Sequence, residues 1–254
     1  MTVRIGSCFA GIGGWELGLE RAIPNSRTVW QVEQNTFCQG VLKKHWPDAT
    51  IFNDVRTVGA HNLESIDLLC AGFPCQDLSQ AGQKKGIYNG EKSSLFWELH
   101  RIISEIRPRI ICLENVANIL RLGGPAVIAS LAEIGYGCEW TVIRSGSDFG
   151  APHRRERWFC VAYSDMSRHQ KQHEPVMLEQ RCGSRSGDRK NGGLHTGFNY
   201  WKGAAHPSPF HHVDDGISDR LARLKALGNA IVPQASEWVG RQIVQSGLID
   251  DLID

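Results

Sequence analysis

Arg4-Ile5-Gly6-Ser7-Cys8-Phe9, then Ala10-Gly11-Ile12-Gly13-Gly14, then Trp15 to Ala22: this opening stretch decides the fold. Its first piece is short and partly apolar. Its second is a glycine cluster. Its third carries Trp15, Leu17, Leu19 and Ala22 interleaved with Glu16 and Glu20, which is helical spacing. The alternation continues outward from there. Val29-Trp30-Gln31-Val32 reads as a strand ending at Glu33, and Phe37 to His45 as a helix stopped by Pro47. Ile66 to Ala71 reads as a buried strand running into Gly72-Phe73-Pro74-Cys75. Ser94 to Ile106 reads as a helix with Leu95, Leu99, Ile102, Ile103 and Ile106 on one side, ended by Pro108. Ile110 to Leu113 is a further buried strand, ending at Glu114-Asn115, and Ala235 to Leu252 is helix-like. Strands alternating with helices of this length imply an α/β fold: a mostly parallel sheet with helices on both faces.

The chain has 254 residues, of which 41% are hydrophobic and 22% charged, so it is neither fibrous nor wholly disordered. The formal net charge is +1, so any basic surface must be local. None of the 8 Cys are spaced as CxxC, which removes the zinc-ribbon and thioredoxin patterns, and no metal site is expected. Several, such as Cys112 in Ile110-Ile111-Cys112-Leu113, sit in apolar runs where Cys acts as a small hydrophobe. No secretory signal and no membrane-spanning run is visible. The expectation is a soluble, reduced, cytoplasmic protein. Two stretches break the α/β pattern. Residues 77–93 are polar and glycine-containing, a long loop of the kind usually functional or mobile. Residues 165–210 are poor in aliphatics and rich in Gly, Ser, His, Arg and Lys.

Three features carry chemistry, each with an ordinary alternative. The glycine cluster lets backbone approach a ligand where a Cβ would clash, or serves only as a tight connection. Glu33, 22 residues after Gly11, and Asp54, at the end of Ile51-Phe52-Asn53-Asp54, could bind the ribose and adenine of an adenosine-containing cofactor. The spacing is not GxGxxG, which weakens a dinucleotide reading. Cys75 follows Pro74 at the C-terminal end of a buried strand, the edge where ligands sit in open α/β sheets; it is either a core cysteine or an exposed nucleophile. Glu114 ends another strand and is either catalytic or a neighbour of a helix cap. Arg154, Arg155 and Arg157 precede Trp158-Phe159-Cys160-Val161 and form either a solvated edge or contacts to phosphates and base carbonyls.

Phe9 to Gly14, Gly72-Phe73-Pro74-Cys75-Gln76, Glu114-Asn115-Val116, Arg155-Glu156-Arg157 and Gly228-Asn229-Ala230-Ile231-Val232-Pro233 occur in that order. Together, over about residues 4–163 and 213–240, the chain resembles the DNA (cytosine-5) methyltransferases. The resemblance implies a Rossmann-like S-adenosylmethionine-dependent methyltransferase fold with a small irregular target-recognition region. The catalytic domain would be discontinuous, residues 1–163 and 213–254, with 164–212 as the recognition region. Cys75 would attack cytosine C6, Glu114 would bind N3 and the exocyclic amine, Arg157 would hold O2, and Arg155 would support the site. S-adenosylmethionine would be held by Phe9, Ala10, Gly11, Ile12, Gly13, Gly14, Glu33 and Asp54. Pro74, Leu95, Asn229 and Ile231 would line the same pocket. Ser79, Lys84 and Lys85 would contact phosphates of double-stranded DNA, and the protein would act as a monomer in restriction-modification or phage/host DNA protection. A tRNA-cytosine methyltransferase shares the catalytic residues, and a catalytically silent nucleic-acid-binding module on the same fold is a third reading. Ser7-Cys8 stand where the family often has an acid. Only 70 residues separate Arg157 from Gly228, so the recognition region is unusually small.

Overall fold

The computed structural model describes residues 1–74, 94–149, 155–164 and 220–253. Seven strands form one sheet: β1 (Val3–Cys8), β2 (Ser26–Val32), β3 (Thr50–Phe52), β4 (Leu68–Ala71), β5 (Ile110–Val116), β6 (Tyr136–Arg144) and β7 (Glu156–Ser164). Their spatial order is β3-β2-β1-β4-β5-β7-β6. The first five pair in parallel, and β7 runs antiparallel to both of its neighbours. The helices are α1 (Gly14–Ala22), α2 (Thr36–His45), α3 (Ser94–Ile106), α4 (Ile119–Leu122), α5 (Gly124–Glu133), α6 (Ser145–Phe149), α7 (Arg220–Asn229), α8 (Pro233–Gln245) and α9 (Asp250–Ile253).

Strand alternation sorts the apolar side chains into two cores. On one face Leu69, Ala71, Ile111 and Leu113 pack with Leu99, Ile102 and Ile103 of α3 and Val127 and Leu131 of α5. On the other, Ile5, Leu68, Cys70, Ile110 and Cys112 pack with Trp15 and Leu19 of α1 and Val239 and Ile243 of α8. The expected three-layer α/β arrangement is therefore present. Cys8, Cys70, Cys112 and Cys160 are buried, and burial pushes the Cys8 thiol up to about 12. These cysteines fill space rather than react.

Local signals account for the element ends. The Asn35 side chain accepts from the Cys38 N–H at 3.0 Å and caps α2, whose last turn carries Lys43, Lys44 and His45, favourable at the negative end of the helix dipole. Pro233 opens α8, where its missing N–H costs nothing. The C-terminal segment differs from expectation. Instead of one helix over Ala235 to Leu252, α8 stops at Gln245, and Gly247, at φ 74, turns the chain before α9. Periodicity continued past the break because Leu248 and Ile249 still face the core. Strand β6 and helices α4 and α5 were not anticipated. Among the described residues, no helix is long and apolar enough to cross a membrane.

Candidate active site at the C-terminal rim of the sheet

The parallel strands β1, β2, β4 and β5 all end on one rim, and each delivers a sequence motif there. Strand β7 runs the other way, so its beginning lies where the parallel strands end. That reversal brings Arg155 and Arg157 to the same rim as Glu114: Val116 pairs with Arg157, and Glu114 with Phe159.

Glu114 is only 7% exposed. Its Oε1 accepts from Arg157 Nε at 2.9 Å. Burial pushes its carboxyl up to about 7, with Arg157 and then Arg155 pulling back toward the charged form. Near neutral pH the group therefore exchanges between an ion-paired carboxylate and a neutral acid able to donate a proton. Burial, followed by the neighbouring Arg157 charge, lowers the Arg155 pKa from its usual value. Arg155 Nε is buried without a hydrogen-bond partner among the described residues. A second oxygen of Glu114 faces Gly72: a Cβ at that position would lie 3.3 Å from Oε2 and 3.4 Å from Ile231 Cδ1. Gly72 stands in the Gly72–Gln76 motif but was given no role of its own there; the structure puts it beside Glu114. Its signal was a glycine directly after a strand on the face that Glu114 also occupies.

The glycine turn is built from three left-handed residues, Phe9 (φ 58), Gly11 (φ 58) and Gly13 (φ 87). Ala10 N–H donates to the Val32 carbonyl at 3.1 Å and Gly13 N–H to Ala10 at 3.0 Å. Its glycines serve different ends. A Cβ on Gly13 would run into the Trp46 ring, and one on Gly14 into the Ile231 carbonyl. Around Gly11 nothing lies within 4 Å of a Cβ, so the turn opens onto free space there. Gly14 is thus needed for packing against the C-terminal segment.

Glu33 stands beside this opening. Its carboxylate accepts from Gly11 N–H at 2.8 Å and from Asn35 N–H at 2.7 Å. Asp54, one strand over, accepts from Arg56 N–H at 3.0 Å and so also caps the single turn Val55–Thr57. Ile12 is half-buried in the turn. Leu95 packs against the first core, and half-buried Ile231 lies near both Gly14 and Gly72, where a Cβ on either glycine would come within 3.4 Å of it. Asn229 is exposed at the end of α7, and Pro74 is the last described residue of its motif. Cys75, Ser79, Lys84 and Lys85 lie outside the described residues, as do Arg154 and nearly all of 164–212. An open left-handed turn at the start of α1, flanked by a strand-end acid, fits an adenosine-containing cofactor. Among the described residues no His, Cys, Asp or Glu group could hold a metal ion.

This architecture is the Rossmann-like methyltransferase fold. It resembles the solved structure of Dnmt2 methyltransferase from S. pombe, with TM-score 0.56 and 19% identity over 74% of this chain and 58% of that one. A Spodoptera frugiperda DNMT2 variant matches with TM-score 0.55 and 22% identity, over 65% and 50%. Residues 3–188 match the model of the C-5 cytosine-specific DNA methylase family, and the chain belongs to that family. Among curated relatives, the Type II methyltransferase M.CviJI of Paramecium bursaria Chlorella virus IL3A is 40% identical over 166 residues, 64% of this chain and 43% of the relative. M2.BsuMI of Bacillus subtilis (strain 168) is 38% identical over 168 residues, 63% and 42%. The chain spans about half the length of the curated relatives it matches.

Proposed function

We propose that the chain transfers a methyl group from S-adenosylmethionine to C5 of a flipped-out cytosine in double-stranded DNA, through a covalent adduct on Cys75, in restriction-modification or phage/host DNA protection. The observation that carries this reading is Glu114: a buried strand-end acid, poised near neutrality, paired with Arg157 and lying across Gly72 from the glycine turn.

The bound S-adenosylmethionine supplies an electrophilic methyl group. The chain's own residues prepare the base. Cytosine C5 is a poor nucleophile, and attack of the Cys75 thiolate on C6 makes it enamine-like. Glu114, in its neutral form, donates to N3 and so neutralises charge that develops during attack. Arg157 holds the base O2 while its Nε still donates to Glu114, and Arg155 adds positive potential from its desolvated position. After transfer, loss of the C5 proton expels Cys75. A base inside a duplex is out of reach, so extrusion costs a few kcal/mol, recovered through contacts in the site. Phosphate contacts fall to Ser79, Lys84 and Lys85. Glu33 holds the ribose, Asp54 the adenine, and Phe9 to Gly14 the methionine part, with Pro74, Leu95, Asn229 and Ile231 around them.

Transfer of radiolabelled methyl groups to DNA, compared with tRNA, tests the substrate. Label on tRNA alone would replace DNA with RNA as the substrate. DNA containing 5-fluorocytosine tests the chemistry, because the analogue blocks the final elimination. A trapped covalent complex is expected, and its absence with Cys75 intact would overturn the mechanism. Bisulfite sequencing of DNA from cells expressing the chain would give the recognised site.

A further inference from the structure

Three adjacent strands bring polar side chains to one level of the sheet near its rim. Ser7 of β1 pairs with Gln31 of β2 on one side and with Cys70 of β4 on the other. Glu16, in the first turn of α1, belongs to the same group, and all four residues are buried. Gln31 Nε2 donates to Glu16 Oε1 at 3.0 Å. The other oxygen of each group, Glu16 Oε2 and Gln31 Oε1, is buried without a hydrogen-bond partner among the described residues. Orphan acceptors are costly away from water, and an ionised Glu16 would add the cost of an unpaired buried charge. A proton on Oε2 relieves both. A carboxylic acid donates through one oxygen and accepts through the other, and a primary amide also does both, so the two planar groups can close a cyclic pair.

The surroundings favour that proton. Burial pushes the Glu16 carboxyl up to about 7; its own N–H, Ser7 and Gln31 pull it back, and the Glu20 charge on the same helix adds to the rise. From β4 comes the Cys70 thiol, held protonated chiefly by burial. On α8, Glu237 is ion-paired with Arg241, and its backbone N lies near Gly18.

The pair also stands between the two halves of the proposed cofactor site. Glu16 follows Gly14 by two residues, where the glycine turn becomes α1, and Gln31 precedes Glu33 by two, at the end of β2. One bond already joins these halves, from Gly11 N–H to the Glu33 carboxylate at 2.8 Å. The acid–amide pair is a second tie, made in the buried layer beneath α1.

We propose that Glu16 and Gln31 are positioning residues: as a neutral acid–amide pair they lock the first turn of α1 to β2, and so hold the glycine turn and Glu33 in register for the cofactor. This rests on the proposed S-adenosylmethionine site. It goes beyond it by giving a single proton, on a group that touches neither substrate nor cofactor, control over cofactor affinity. Loss of that proton to solvent leaves Oε2 and Gln31 Oε1 as two acceptors with no hydrogen to share.

The test measures the dissociation constant for S-adenosylmethionine by calorimetry, in the parent and in Glu16→Gln, across neutral pH. A Gln at this position keeps the shape and carries a permanent donor. With Glu16 titrating at about 7, the competent fraction falls about tenfold between about pH 6 and pH 8, so the parent's dissociation constant should rise about tenfold more than the variant's. The comparison cancels titration of the ligand and of Glu114, which both proteins share. Parallel profiles would overturn the proposal; they are the result expected if Ser7 Oγ donated to an ionised Glu16. A second readout needs neither the variant nor the cofactor: the NMR resonance of the Glu16 carboxyl carbon, followed with pH in the parent. A parent that binds no S-adenosylmethionine at any pH would sink the proposed function and leave the pair to that readout. Titration near neutral pH supports the pair, and a carboxylate that persists below about pH 5 overturns it.

Discussion

Glu114 and Glu16 are both buried carboxyls pushed up to about 7, yet their surroundings give them different uses. Glu114 has two arginines beside it and stands at the end of β5, on the rim where the parallel strands finish. Glu16, in the first turn of α1, is fully buried, with Oε1 accepting from Gln31 Nε2 at 3.0 Å and Oε2 unpartnered among the described residues. Glu114→Gln keeps the shape but cannot titrate, and should slow methyl transfer by about 10²–10³-fold while DNA binding changes little. Equal losses in a filter-binding assay and a turnover assay would make the role structural. If Glu114 donates as a neutral acid, the contribution it makes to the rate fades as pH rises through about 7, and Glu114→Gln lacks that limb. Cys75→Ser should remove methyl transfer by about 10³-fold or more and largely preserve S-adenosylmethionine binding, read by calorimetry. Glu16 bears on stability. Its folded pKa exceeds the unfolded value of 4.5, so the stability it contributes is complete below that value and is lost as pH rises through about 7. Glu16→Gln should therefore show a shallower fall in Tm than the parent between about pH 5 and 8; parallel curves would refute this.

At the scale of elements, the decisive contact is α1 against α8. Gly14, Gly18 and Gly240 bring the two helices close. Ser236 Oγ donates to the Gly14 carbonyl at 2.7 Å, and a Cβ on Gly18 would come within 2.5 Å of the Glu237 N and the Pro233 carbonyl. The glycine turn is thus braced from behind by a segment more than two hundred residues away in sequence. Gly18→Ala should cost about 1–3 kcal/mol through overpacking and lower Tm by roughly 2–4 °C per kcal/mol. A thermal midpoint equal to the parent's would show that the helices separate without penalty. Strand β7 matters for another reason. Because it alone runs antiparallel, its starting residues reach the rim where the other strands finish. Two arginines placed at the start of a parallel strand would lie on the opposite edge.

For the molecule as a whole, we propose a catalytic domain of residues 1–163 and 213–254 with 164–212 as the recognition region. Replacing 165–212 by a short linker should preserve cooperative unfolding and cofactor binding and abolish methylation at a defined sequence in bisulfite maps. Loss of cofactor binding would merge the two regions into one unit. The C-terminal segment is a different matter, since Val239 and Ile243 of α8 and Leu248 and Ile249 beyond it complete the core beneath α1. Much of this was legible in the chain. Local periodicity and breakers revealed β1, α1, α2, α3 and β5, and the strand-end motifs named Glu33, Glu114 and the glycine turn, because each depends on neighbours within a few residues. Strand β6 and helices α4 and α5 escaped, and the helix break at Gly247 was hidden by apolar residues continuing beyond it. By itself the sequence determined which residue types stand at the strand ends, and hence the family and the chemistry available. Only the tertiary structure decided that Arg157 meets Glu114, that Gly14 lies against the Ile231 carbonyl, and that Asn115 donates to the Phe73 carbonyl. Those contacts join segments far apart in the chain, and their partners are set by strand order, direction and register, which no local pattern encodes.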